Sequence, residues 1–166
     1  MISKKLACIL LILGVAGSQA AAAEFCTRDE ATDTLSCRYT DTNGRPHNAM
    51  MTISLTQAGW SLMLAVFLDE EWLMMEGDAS VRFKDDTVFE LDYVTTHRDL
   101  TEKGRLMEAA FFKVEEDLLR KIGSSKGSMY FNVPNEKDGL ELKFWTKRFK
   151  DMDDFLAETK ATVGLD

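Results

Sequence analysis

The residues with the clearest chemical potential are two cysteines, Cys26 and Cys37, which are separated by ten residues. A thioredoxin-like redox pair has two intervening residues, and a zinc site needs two further Cys or His ligands. The two histidines of the chain, His47 and His97, lie far apart in sequence. We therefore predict a structural disulfide that closes the polar segment 27–36 and stabilises the fold by about 2–3 kcal/mol.

A second motif, Gly123-Ser124-Ser125-Lys126-Gly127, matches the G-x-S-x-G pattern of a hydrolase nucleophile elbow. Such an elbow follows a strand and opens a helix, and its serine needs a histidine further along the chain. Here the sequence pattern predicts a helix before the motif and a strand after it, and no histidine follows Ser125. We interpret the motif as a flexible helix-to-strand connection.

Acidic residues cluster at three places, which are Asp69-Glu70-Glu71, Asp151 with Asp153 and Asp154, and Glu90 with Asp92. The first two clusters lack the alternating ligands and bend glycine of a calcium loop, so we interpret them as a solvated turn and a helix start. The third could be an acid/base pair of a glycan-cleaving enzyme, which needs a defined carboxyl separation across a cleft. Its alternation with apolar residues instead indicates the wet face of a strand.

The histidines have no companions at metal or nucleophile spacing, and we interpret both as exposed polar residues. His47 follows Pro46 in a turn, and His97 is predicted to lie in a loop after a strand. No catalytic, cofactor-binding or metal-binding residue is therefore predicted. We expect that the protein is not an enzyme.

The first 23 residues have the pattern of a secretory signal peptide. Lys4 and Lys5 precede an apolar run over residues 6–16, and small residues occupy 18–23. A run of this length is too short to span a bilayer, which takes roughly 20 residues. We predict cleavage after Ala23 and a periplasmic or secreted protein. The alternatives are an uncleaved anchor and acylation at Cys8, which only seven residues precede.

Residues 24–166 are predicted to form a single globular domain whose N-terminal arm, before about residue 47, is tied by the disulfide. Loss of Lys4 and Lys5 with the signal would take the formal net charge from −8 to −10. Such a charge disfavours contact with nucleic acid or an anionic membrane surface. It serves solubility or attracts a basic partner.

Hydrophobic periodicity predicts a sheet-rich domain. Alternating residues predict strands at Met51–Leu55, Val81–Phe83 and Phe89–Tyr93, with a turn at Asp85-Asp86 between the last two. A hairpin is predicted from Met129–Val133, a loop over 134–139, and Leu140–Phe144. Leu106–Val114 is predicted as a strand, and Trp60–Leu68 as a strand buried on both faces or a turn of buried helix.

Two helices complete the prediction. The first has Val114, Leu118 and Ile122 on one face, acidic residues at its start and Gly123 as its C-terminal cap. The second, near the C-terminus, has Phe149, Met152, Phe155 and Leu156 on one face. The predicted fold class is α+β or mainly β, an antiparallel sheet or sandwich with two short helices, the second of them C-terminal.

Two tryptophans are candidates for a partner surface. Trp145 falls on the outward-alternating face of its strand, and Trp72 stands beside acidic residues. Exposed large apolar side chains mark binding surfaces, although packing in the core or under a helix is a commoner role.

From about Gly77 onward the chain resembles small exported bacterial proteins of the invasion-associated locus B type and the related accessory proteins of type VI secretion. The likeness is carried by Val81-Arg82-Phe83-Lys84-Asp85-Asp86, the helix 117–122, the hairpin 129–145 and the helix 149–156. Lys147-Arg148 replaces the Ser-Gly pair expected before the closing helix. The resemblance implies a β-rich, non-enzymatic envelope protein and supplies no catalytic residues.

Export, acidity and the absence of a catalytic constellation favour a non-catalytic binding or accessory protein that acts through protein–protein contacts. A protein partner is expected, with no nucleic acid and no stable membrane insertion after signal cleavage. Two alternatives stay open. One is a small envelope hydrolase that uses carboxylates, and the other is an acidic inhibitor or immunity protein for a basic enzyme or toxin.

Overall fold

The computed structural model describes residues 23–29, 34–46, 48–56 and 59–163. Over these ranges the chain forms one curled antiparallel sheet of nine strands with two α-helices. The strands are β1 Ala23–Asp29, β2 Thr34–Gly44, β3 Ala49–Thr56, β4 Gly59–Leu68, β5 Ala79–Phe83, β6 Val88–Leu100, β7 Leu106–Lys113, β8 Ser128–Val133 and β9 Leu140–Trp145. The helices are α1 Glu116–Ser124 and α2 Met152–Val163, and a short 3₁₀ turn, Thr146–Phe149, precedes α2. The predicted fold class is confirmed.

The sheet runs in the order β1-β2-β3-β4-β7-β6-β5-β8-β9, with every neighbouring pair antiparallel. Its last strand returns to the end of β2. The N–H of Arg45 donates to the carbonyl of Lys143 at 3.0 Å, and the N–H of Lys143 donates to the carbonyl of Arg45 at 2.7 Å. This reciprocal pair holds the curled sheet together at one end.

The concave side of the sheet holds the core. Alternating strand residues such as Ile53, Val81 and Phe131 are fully buried, as the period-2 pattern predicts. The rings of Phe131 and Phe144 meet edge to face with centroids 5.8 Å apart. Trp60 on β4 packs 5.9 Å from the ring of Phe155 on α2, so the C-terminal helix closes the core.

Both predicted hairpins are confirmed. β5 and β6 join through Asp85-Asp86, where Asp86 has a positive φ of 63°, and β8 and β9 join through residues 134–139. The apolar run after Gly59 is a strand, and three consecutive residues within it, 64–66, are buried.

Four local predictions were wrong. Val114 precedes α1, which begins at Glu116, and Phe149 lies in the 3₁₀ turn before α2, so each is buried beside its helix and not on it. His97 does not lie in a loop, because β6 continues to Leu100 and pairs His97 with Ala109 on β7. Gly123 does not cap α1 but lies inside it, and Ser125 is the capping residue. A side-chain carbon at Gly123 would stand 2.7 Å from the Cβ of Met152, so glycine is required there for close helix packing and not for chain reversal.

An ion pair ties α1 to the β5–β6 turn. The ammonium of Lys121 donates to the carboxylate of Asp85, and with the Thr87 bonds it lowers the pKa of Asp85 from 3.8 to about 2. At the start of the same helix, Lys160 of α2 contacts Glu116 at 2.6 Å, and this hydrogen bond lowers the pKa of that carboxyl group. The two helices are thus joined to each other and to the sheet.

The region before residue 47, which the sequence pattern predicts as an N-terminal arm, contains β1 and β2 of the same sheet. In the β1–β2 register Cys26 lies directly opposite Cys37. Directly opposed residues on antiparallel strands have Cα atoms about 4.5 or 5.5 Å apart, and both values fall in the range that a disulfide spans. The backbone register is therefore compatible with the predicted bond. His47 and nearly all of the predicted signal, residues 1–22, lie outside the described residues.

Across the described ranges, none of the helices has both the length and the apolar character that crossing a membrane requires.

We predict that Cys26 and Cys37 are bonded to each other in exported protein. The non-reduced mature chain should lack the mass of two hydrogen atoms and resist alkylation. Replacing both cysteines by serine should lower the free energy of unfolding by about 2–3 kcal/mol, because the unfolded chain loses its restriction. Alkylation of both thiols without a reductant would contradict the bond.

Candidate binding site

The outer face of the sheet carries a row of partly exposed cationic and aromatic side chains across β5, β8 and β9. Arg82 lies opposite Tyr130, Tyr130 lies opposite Lys143, and Lys143 lies opposite Arg45 just beyond β2. Directly opposed residues share a face, and neighbouring strands are about 4.8 Å apart. These four residues therefore form a continuous line, here called the cationic row.

Tyr130 is the aromatic centre of the cationic row. The guanidinium carbon of Arg82 lies 5.1 Å from its ring centroid, and the ammonium of Lys143 lies 5.6 Å from it. Glu141, two residues before Lys143 on β9, lies 4.0 Å from Arg82 and offsets part of its charge. By contrast, none of the ion pairs among the residues that the structure describes includes Arg45 or Lys143.

The row continues along β9 to Trp145, which is 41% exposed. The ammonium of Lys143 stands 4.4 Å from the Trp145 ring centroid, and that of Lys147 stands 5.9 Å away. Cations over an aromatic face are attracted by its quadrupole, which holds both lysines near the ring. The surface at this end of the hairpin is thus aromatic and positively charged.

A cleft of about 820 Å³ opens at the Arg45 end of the cationic row. Its apolar walls come from the turn after β2, the end of β4 and the segment that follows β4, with Pro46, Phe67, Leu68 and Leu73 as lining residues. Its polar lining includes Arg45, Tyr130, Lys143, Arg105, Asn48, Glu141 and the acidic cluster 69–71. The cleft therefore combines apolar surface with charges of both signs.

One wall of the cleft is held by a buried carboxylate. Glu108 lies in β7, is fully buried, and accepts hydrogen bonds from the backbone N–H groups of Leu73 at 2.8 Å, Met74 at 3.1 Å and Met75 at 2.6 Å. The guanidinium of Arg98 on β6 completes the set at 3.1 Å. A buried charge is tolerated only when it is paired and hydrogen-bonded, and Glu108 meets both conditions.

Further hydrogen bonds fix the segment 69–78 between the strands. The hydroxyl of Thr96 donates to the carbonyl of Met75 at 2.6 Å, and the hydroxyl of Tyr93 donates to Thr96 at 3.0 Å. The N–H of Glu76 donates to the carbonyl of Pro134 at 3.1 Å. The segment lacks regular secondary structure, yet its backbone is bonded at several points to β6, β7 and the β8–β9 turn.

The acidic cluster 69–71 is a solvent-exposed bend, as predicted. Asp69 pairs with Arg105 at 2.7 Å, and Glu71 pairs with Lys137 of the β8–β9 turn. Glu90 and Asp92 are exposed on β6, which agrees with the wet-face interpretation. Within the described ranges, no group of three or more His, Cys, Asp or Glu side chains is placed to hold a metal ion.

The G-x-S-x-G segment connects α1 to β8, which is the reverse of a nucleophile elbow. The hydroxyl of Ser124 donates to the carbonyl of Arg120 at 2.8 Å, one turn earlier in α1. The segment therefore ends a helix, as the sequence interpretation holds.

The structure places the two candidate tryptophans differently. Trp145 is exposed at the end of β9, opposite Ser128, whereas Trp72 is half-buried in the segment after β4. The neighbour of Trp72, Glu71, contacts the β8–β9 turn. The two rings thus lie toward opposite ends of the hairpin, and only Trp145 adjoins the cationic row.

Sequence reasoning missed Glu108, Arg45 and Lys143. A signal for Glu108 is present, since a carboxylate interrupts the apolar run 106–114. Arg45 and Lys143 carry no such signal, because nearly a hundred residues of sequence separate them and only the closure of the sheet makes them neighbours.

Comparison with family models, curated proteins and solved structures found no match to this chain.

We predict that Glu108→Ala lowers the free energy of unfolding by about 3 kcal/mol or more. The change leaves three backbone N–H groups and Arg98 without their acceptor, and each unsatisfied buried donor costs about 1–3 kcal/mol. Denaturant titration measures the loss. Glu102→Ala, in the exposed β6–β7 turn, is the control and should shift stability by less than about 0.5 kcal/mol. Equal stability of the two variants would contradict the role of Glu108.

Proposed function

We propose that this chain is an exported, non-catalytic binding or accessory protein that acts through protein–protein contacts on the outer face of β8 and β9. The observation that carries the proposal is Trp145, a large aromatic side chain that is 41% exposed and flanked by Lys143 and Lys147. Tryptophan and tyrosine, together with arginine, are the residues most enriched among the energetically dominant contacts of protein interfaces.

Features of the sequence support an envelope location for this activity. Residues 1–23 have the pattern of a cleavable signal, and Cys26 faces Cys37 in the β1–β2 register, as a disulfide formed outside the cytosol would require. The resemblance of residues 77–166 to exported accessory proteins points the same way. We propose a periplasmic or secreted protein.

The carboxylate-hydrolase alternative is favoured by one observation, namely that the cleft unites the acidic cluster 69–71 with Glu141 from a separate strand. Against it, Asp69, Glu71 and Glu141 are exposed, and each already forms an ion pair with a cation of this chain. The inhibitor or immunity alternative needs an acidic contact surface. The exposed aromatic face is instead cationic, so a basic partner would have to dock elsewhere.

We predict that Trp145→Ala weakens retention of the envelope partner at least about tenfold, because truncating an aromatic anchor removes 2 kcal/mol or more of binding free energy. The measurement is quantitative pull-down of the tagged mature protein from envelope extract, followed by titration of the recovered partner. Leu100→Ala is the matched control, because Leu100 is 62% exposed at the far end of β6.

Equal retention by the Trp145→Ala and Leu100→Ala variants would remove the proposed surface. Trp72→Ala tests the second candidate tryptophan in the same assay, with thermal unfolding recorded in parallel because that side chain is half-buried. Turnover of an envelope glycan that Glu141→Gln abolishes would instead establish the hydrolase alternative.

A further inference from the structure

We infer that the cleft beside the cationic row takes a short acidic protein segment that carries one large apolar side chain. This inference rests on the proposed function and adds the chemistry of the partner. It follows from three observations, which are an unbalanced pair of cations, the sign of the whole molecule, and the apolar wall of the cleft.

The unbalanced pair is Arg45 and Lys143. They lie directly opposite each other across the bridge that closes the sheet, and both line the cleft. Like charges at directly opposed positions destabilise a sheet. Three of the four carboxylates in the lining, Asp69, Glu71 and Glu141, are each paired with another cation. No ion pair among the described residues includes Arg45 or Lys143, so these two cations face one remaining carboxylate, that of Glu70. Folding does not require this arrangement, whereas a ligand with closely spaced negative groups would be held by it.

The net negative charge of the whole chain favours a short anionic ligand over a long one. The net charge is −8, so a long polyanion or an extended anionic surface is repelled beyond the local patch. Screening confines the attraction of Arg45 and Lys143 to about one Debye length, roughly 8 Å at physiological ionic strength. A few acidic residues fit within that distance, and a nucleic acid or a membrane surface does not.

The cleft also offers an apolar subsite. Phe67, Leu68 and Leu73 line it beside the two cations, and Tyr130 forms part of its lining. The wall that carries Leu73 is fixed by the hydrogen bonds to Glu108, so it need not be ordered when a ligand binds. A protein segment can present carboxylates and an apolar side chain together, and a simple inorganic anion cannot.

The test uses fluorescein-labelled peptides on the mature protein, measured by anisotropy. The probe is Gly-Asp-Glu-Phe-Glu-Asp-Gly, and its relatives replace the acids by their amides or the phenylalanine by alanine. We expect the probe to bind and both relatives to bind at least about tenfold more weakly. Arg45→Glu and Lys143→Glu should each weaken the probe at least about tenfold. Lys113→Glu, the same charge change on an exposed residue at the far end of β7, should change it less than about twofold.

Folding does not confound the result. Arg45→Glu places a carboxylate opposite Lys143, so its melting temperature should equal or exceed that of the wild type. Equal binding of the acidic and amide peptides would overturn the inference, as would binding that Arg45→Glu and Lys143→Glu leave unchanged. Complete displacement of the probe by inorganic phosphate or by phosphatidylglycerol vesicles would assign the cleft to a small anion or a lipid headgroup instead.

The two proposals fail separately. If Trp145→Ala releases the envelope partner while Arg45→Glu retains it, the surface stands and the acidic-segment inference falls. If the probe binds as expected while Trp145→Ala retains the partner, the cleft stands and the contact surface of the proposed function is wrong.

Discussion

Three backbone N–H groups, those of Leu73, Met74 and Met75, donate to a single buried carboxylate on β7, that of Glu108. A segment without its own secondary structure must find partners for its backbone groups, and a buried carboxylate must find donors. Here the Glu108 carboxylate accepts the hydrogen bonds of the backbone N–H groups, and Arg98 balances its charge. The connection from β4 to β5 is thereby fixed against the sheet as a wall of the cleft.

At the outer surface of the β8–β9 hairpin, by contrast, two positive charges lack an ion-pair partner among the described residues. Glu108 is paired with Arg98 and hydrogen-bonded, whereas Arg45 and Lys143 lie opposite each other and take part in none of the ion pairs in the described part of the chain. Departures from local electrostatic consistency are expected where a protein meets a ligand, since folding alone would remove them. The same strand, β9, carries Trp145 and supplies Lys143 to the cleft, so both proposed contacts depend on one short edge strand tied to Arg45.

Most of the architecture followed from alternation and turn residues. The hairpins at 85–86 and 134–139 were predicted because each depends on neighbours in sequence. The same holds for the buried faces of the two helices, apart from Val114 and Phe149, which precede them. The extension of β6 through His97 was not predicted, because the polar residues at the end of β6 form a strand only by pairing with β7. Glycine after an apolar helical repeat predicts a cap at Gly123, whereas its true role, the close contact with Met152, is a tertiary feature that the sequence does not show. The cleft was beyond prediction for the same reason, as Arg45, Leu73 and Lys143 converge only after the sheet closes.

The most direct test of this account is amide hydrogen exchange on the native protein, resolved at Leu73, Met74 and Met75. If Glu108 holds this segment, these amides exchange as slowly as those of β7, although they lie outside any helix or strand. Exchange as fast as at Lys103, in the exposed β6–β7 turn, would show that the carboxylate does not hold them and that the cleft has no fixed wall.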